Sequence, residues 1–145
     1  MILLYKKIVG YLNYGKDVAL LFTRLILAYG FYEPAKTKWA DIHSVAEWFG
    51  SLGIPAPTLQ AYLAATTEMA GTFLLILGLG TRLISLPLII TMLVAIKTVH
   101  WENGFPAGDN GYEIPLYFIL MLFTLVSFGA GKLSLDHFIK KMVNK

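Results

Sequence analysis

Four long apolar runs constrain this chain more than any other feature. They cover residues 18–33, 59–79, 83–99 and 112–130. A bilayer core of about 30 Å takes around 20 helical residues, with about 17 as the lower limit. The first and third runs sit near that limit and lean on their flanks. Strands of a membrane barrel would be about half as long and would alternate apolar with polar residues; these runs do not alternate. Composition agrees. Of 145 residues 57% are hydrophobic and 14% charged, where a soluble domain carries about 25% charged residues. Mean hydropathy is +0.63, so the apolar surface has to face lipid. The expected fold is an all-α membrane protein, a four-transmembrane-helix bundle forming one domain over residues 1–145.

Turn residues divide the runs. Gly78, Gly80, Thr81 and Arg82 make a short hairpin between the second and third, and Gly129, Ala130 and Gly131 end the fourth. Pro87 and Pro115 are read near helix starts, where a missing N–H costs least. Pro34 is expected to end or kink the first helix one or two residues earlier. Residues 1–17 carry Lys6, Lys7 and Lys16 without a long apolar core, so no cleavable signal peptide is expected. Basic residues set the orientation: Lys6, Lys7 and Lys16 at the start, Arg82 in the hairpin, and Lys132, Lys140, Lys141 and Lys145 at the end all fall on one side. The other two loops are acid-leaning, so both termini are expected in the cytoplasm. The first outer loop has helical spacing of its own, with Trp39, Ile42, Val45 or Ala46, and Trp48 or Phe49 along one face. It reads as a short interfacial helix, with Trp at the headgroup level. The second outer loop, 101–111, is rich in Gly, Asn and Asp and is read as irregular.

Several chemistries are excluded. There is no cysteine, hence no disulfide, thiol catalysis or Cys-ligated metal. A net charge of +3, with the basic residues at the chain ends, leaves no nucleic-acid footprint. No Gly-rich phosphate loop or nucleophile elbow is present. Ionisable residues within apolar runs are expensive and point to function. The candidates are Arg24, Glu68, Lys97 and Glu113, with His100 just beyond the third run. Glu68 lies nine residues into its run, roughly 14 Å deep, on a face of small residues: Ala61, Ala64, Ala65, Gly71 and Thr72. Such a face lets helices approach closely, so Glu68 is expected inside the bundle, as structural glue or lining a ligand pocket. Depth and side-chain lean favour Lys97 as its partner. Arg24 is expected to snorkel to the inner headgroups or to pair with Asp17. Near the outer surface, Lys97, His100, Glu113, Tyr117, Glu33, Lys36 and Tyr29 form either a solvated rim or the wall of one cavity. One histidine among scattered carboxylates lacks metal-ligand spacing, so no metal site is expected.

These pieces, in their order, resemble the DoxX family of small bacterial membrane proteins. The likeness runs from Arg24 to Asp136. It is carried by Trp39 to Phe49 leading into Leu52-Gly-Ile-Pro55, then Glu68-Met-Ala-Gly71, Leu77-Gly-Leu-Gly-Thr-Arg82, Gly111-Tyr-Glu113 and Gly129-Ala-Gly-Lys-Leu-Ser-Leu-Asp136. The resemblance implies a four-helix protein of the bacterial inner membrane, linked to redox systems. One related branch looks like a subunit of a thiosulfate:quinone oxidoreductase, and others look like partners of oxidative-stress or metal-handling proteins. Here the absence of cysteine argues against a thiol relay. The leading expectation is a membrane subunit or scaffold of a redox-linked complex, an oxidoreductase subunit rather than a stand-alone enzyme. Quinone is the ligand an apolar bundle with few inward polar groups would suit. The alternative is a non-catalytic partner-binding or assembly factor that uses Trp39, Trp48, Trp101 and Phe105. A small transporter ranks third, because no inverted repeat is visible. A homo-oligomer is compatible with all three.

Overall fold

The computed structural model describes residues 2–143. Its regular elements are α1 (Ile2–Ala40), α2 (Ile42–Ser51), α3 (Pro57–Leu77), α4 (Thr81–Ala95), α5 (Glu113–Phe128) and α6 (Leu135–Val143). A π-helical turn, Ile96–His100, continues α4, and two 3-10 turns break the 101–111 connection. No strand occurs among the described residues, so the chain is all-helical. Each apolar run of the sequence falls largely within one helix. Two helical stretches, Lys7–Ala40 and Thr81–Asn103, are long and apolar enough to cross a membrane, and Glu113–Phe128 is apolar but shorter.

α1 is the largest departure from expectation. It runs unbroken through Pro34 to Ala40, and 39 residues make a rod of about 58 Å. Proline in a helix removes its own bond to the carbonyl four residues back and crowds that carbonyl, here that of Gly30. The buried stripe explains why the helix carries on. Leu20, Arg24, Leu27, Ala28, Phe31 and Ala35 are buried at strict helical spacing on both sides of Pro34. Packing that continues past the proline offsets one missing hydrogen bond. Pro87 likewise lies inside its helix, as the seventh residue of α4, rather than at the start.

α1 and α3 lie antiparallel, with Thr72 Oγ1 donating to Ala28 O at 3.4 Å and Trp39 edge-on to Tyr62 at 5.9 Å. The α3 face of Ala61, Ala65, Glu68, Gly71 and Thr72 is buried, and the Leu88 side chain of α4 fills the space where Gly71 has no Cβ. Phe31 meets Phe118 of α5 edge-on at 5.4 Å. The core is Leu20, Leu27, Ala28, Phe31, Leu75, Leu88, Leu122 and Leu125.

α2 begins at Asp41, whose carboxylate accepts from the Ser44 N–H at 3.1 Å and from the Ser44 hydroxyl at 2.7 Å. Those bonds favour the charged form and lower the Asp41 pKa. α2 buries Ala46 and, with the Gly53–Ala56 turn, covers one end of the bundle. The basic C-terminal stretch forms a further helix, α6, that the four apolar runs do not predict.

Candidate functional site

The end of the bundle that carries α2 has a half-open cavity of about 720 Å³, within the range of small-molecule sites. Its walls come from five helices and are mostly apolar: Phe31 from α1, Phe49 from α2, Leu63 from α3, Ile90 and Met92 from α4, Phe118 from α5. Glu68 and Lys38 supply the charge. Lys38 Nζ donates to both carboxylate oxygens of Glu68, at 3.1 and 2.8 Å. The Glu68 side chain is 3% exposed and that of Lys38 18%.

Helix geometry accounts for the pairing. Side chains lean toward the N-terminus of their own helix. α1 and α3 run in opposite directions, so Lys38 and Glu68 lean toward each other across their contact. Lys38 also extends the buried stripe of α1, three residues after Ala35. The expected partner, Lys97, is exposed and makes no ion pair with Glu68. It sits on the wrong face of its helix for that contact. Nine residues separate it from buried Leu88, which at about 100° per residue sets it on the opposite side of the helix.

Arg24 is fully buried and serves a different purpose. Its guanidinium donates to Leu75 O at 2.9 Å, Ile76 O at 3.3 Å and Leu133 O at 2.5 Å. It closes the C-terminus of α3, where unpaired carbonyls and the helix dipole favour a cation. It neither snorkels nor pairs with Asp17. The Asp17 carboxylate instead accepts from the Lys132 backbone N–H at 2.8 Å. Asp136 completes the arrangement, accepting from Gly80 N at 2.8 Å and Thr81 N at 3.2 Å. Arg24 and Asp136 thus hold opposite ends of the α3–α4 hairpin.

The outer group of polar residues separates. His100 lines the cavity and its Nδ1 bonds Asn110 O at 2.8 Å; a carbonyl only accepts, so Nδ1 carries the proton. Glu113 accepts from Ala107 N and from the Tyr117 hydroxyl, both at 2.9 Å, and ties the loop to α5. Glu33 and Lys36 face each other at 3.9 Å on the surface, and Tyr29 is exposed. Among the described residues no three His, Asp or Glu side chains gather as a metal site. Trp39, Trp48, Trp101 and Phe105 are all exposed; Trp48 also lines the cavity, and Trp101 stacks on Tyr112 at 5.5 Å. Sequence reasoning missed Lys38, Gln60 and Thr67 in the cavity wall. The unbroken spacing from Leu20 to Lys38 carried the signal for the first.

An all-helical bundle with a broad exposed apolar surface and a charged pair in an apolar cavity defines a small membrane protein. The chain belongs to the DoxX family, whose model matches residues 19–101. It is 38% identical over 132 residues to an uncharacterized protein of Haemophilus influenzae, covering 88% of this chain and 87% of that one. It is 28% identical over 130 residues to "Putative oxidoreductase CatD" of Bacillus subtilis, covering 90% and 93%. It is 34% identical over 103 residues to an uncharacterized membrane protein of Mycobacterium tuberculosis, covering 64% and 63%. No solved structure matches.

Proposed function

We propose that this protein is the four-span membrane subunit of a redox-linked complex and that its cavity takes the ring of a quinone. α1, α3, α4 and α5 would each cross the bilayer of the inner membrane, both termini would be cytoplasmic, and α2 would lie at the outer interface. Each of these helices turns large apolar side chains outward, among them Phe22, Phe73, Leu86 and Phe123, which supports four spans. The basic residues at the hairpin end support the orientation.

The observation that carries the quinone reading is the Lys38–Glu68 pair in the wall of an apolar cavity. A quinone ring offers a flat apolar body and two carbonyl acceptors. Lys38 has three N–H donors; two are held by Glu68, and the third is left for a ligand oxygen. Reduction of a bound quinone takes two electrons and a proton at each oxygen. Lys38 can deliver a proton to the nearer oxygen, Glu68 keeping it protonated beforehand; the proton for the farther oxygen and the one that recharges Lys38 would come from water at the mouth of the cavity. The two electrons would come from a partner protein of the complex. The relative named as an oxidoreductase is in keeping with this reading. The exposed ring of Trp39, Trp101 and Phe105 at the same end is the face such a partner would grip; photo-cross-linkers there should capture one dominant protein in native membranes, and none captured would remove this role.

Trp48 in the cavity wall provides the test. A short-chain quinone added to the purified protein should quench its tryptophan fluorescence saturably. Trp48→Phe should remove most of that quenching, and Glu68→Gln should weaken binding about tenfold, because Lys38 loses the carboxylate that holds its ammonium toward the ligand. Quenching that never saturates, or is unchanged in Glu68→Gln, would refute the ligand site.

A further inference from the structure

The hairpin end of the bundle has an opening of its own, of about 640 Å³, separate from the cavity. Four cations line it, each from a different part of the chain: Lys16 on α1, Arg82 on α4, Lys132 after α5 and Lys140 on α6. Two carboxylates, Asp17 and Asp136, accompany them. Both are engaged by backbone amides, Asp17 by Lys132 N and Asp136 by Gly80 N and Thr81 N. They fold the walls of the opening and leave it net positive. Among the described residues Arg82 and Lys140 form no ion pair, and Lys132 reaches Asp17 only at 3.9 Å with its side chain 70% exposed.

We propose that this opening binds the headgroup of an anionic phospholipid. The surroundings favour a lipid over a free anion. Lys16 Nζ lies 4.7 Å from the centre of the Phe128 ring, and Phe128 is 57% exposed. Leu83 on α4, next to Arg82, is 76% exposed. The cations therefore sit where the apolar surface of α4 and α5 ends, the level at which a phosphate meets its acyl chains.

α6 points the same way. Leu135, Phe138, Ile139 and Met142 share one face and are all exposed, while Asp136, His137, Lys140 and Lys141 share the other. The protein leaves that apolar face uncovered. An amphipathic helix with a basic polar face settles into the interface of an anionic bilayer. Asp136 pins the first turn of α6 to the hairpin, which holds Lys140 over the opening. The inference rests on the reading that these helices span the bilayer; it does not involve quinone.

The full chain, purified in mild detergent, is incubated with phosphatidylglycerol, cardiolipin and phosphatidylcholine in equal amounts, then repurified. Native mass spectrometry counts the lipid retained. The wild type should keep phosphatidylglycerol or cardiolipin over phosphatidylcholine. The variant Lys16→Ala/Lys132→Ala/Lys140→Ala should retain about tenfold less or lower still, since each basic residue near the surface contributes severalfold. The corresponding triple arginine variant should retain the lipid. Lys36→Ala/Lys97→Ala, which removes charge at the opposite end, should behave as the wild type. Equal retention of phosphatidylcholine, undiminished retention in a triple alanine variant with wild-type thermal stability, or displacement of the lipid by millimolar inorganic phosphate would each overturn the proposal. A failed quinone titration would leave these outcomes untouched, so the two proposals fail separately.

Discussion

Lys38 and Glu68 show how little of a buried pair is written into either residue. Glu68 announces itself, because a carboxylate on a face of alanine and glycine has nowhere to go but inward. Its partner does not. Lys38 follows a proline by four residues, and only the continuation of α1 brings it to the cavity. Breaking such a pair leaves a charge buried and alone, whereas replacing both partners removes the problem. Lys38→Met should therefore lower stability by about 2 kcal/mol, toward the low side because Lys38 keeps some solvent. Lys38→Met/Glu68→Met should recover much of that loss, with a coupling of about 1–3 kcal/mol in a double-mutant cycle. Reversible unfolding in mixed micelles measures it; additive losses would show the pair to be uncoupled. Arg24 teaches the complementary lesson. Its lean toward the α3–α4 end is legible from helix direction, but the carbonyls that receive it belong to residues 51 and 109 positions away.

At the scale of the element, the α3–α4 hairpin is where local and distant forces meet. Gly78 and Gly80 both adopt positive φ, +64 and +56, a conformation that costs other residues about 1–2 kcal/mol. They differ in what surrounds them. A Cβ at Gly78 would run into the Arg24 guanidinium and Ser134, whereas one at Gly80 meets nothing within 4 Å. Gly80→Ala should cost about 1 kcal/mol, the backbone penalty alone. Gly78→Ala should cost at least about 2 kcal/mol more, because it also displaces a buried, triply bonded arginine. Equal losses in the same unfolding measurement would contradict the Arg24 clamp. The run Gly78-Leu-Gly80 signals a turn in any sequence; that one glycine is spent on close packing and the other on conformation is visible only with Arg24 in place. The extent of α1 has the same character. Proline argues for a helix end, and the buried stripe on either side of Pro34 outweighs it.

For the whole molecule, the distribution of charge and apolar surface makes topology the decisive property. The chain has no cysteine, so single cysteines report cleanly. Ser51→Cys and Gly108→Cys should react with an impermeant maleimide from the periplasmic side, and Leu79→Cys and Lys132→Cys only after the membrane is opened. Labelling of all four from one side would remove the four-span arrangement and its orientation together. The sequence by itself determined that the chain is helical, where its apolar helices lie, and that Glu68 faces inward. Those properties follow from hydrophobic length and helical spacing, which are local and periodic. Tertiary structure alone decided that Lys38, and not Lys97, meets Glu68, that Arg24 and Asp136 clamp the hairpin, and that α2 with α1, α3, α4 and α5 lines a cavity. Each depends on the rotation and register of one helix against another. A helix turns about 100° with every residue, so a small uncertainty in where it starts sends a side chain to the other face.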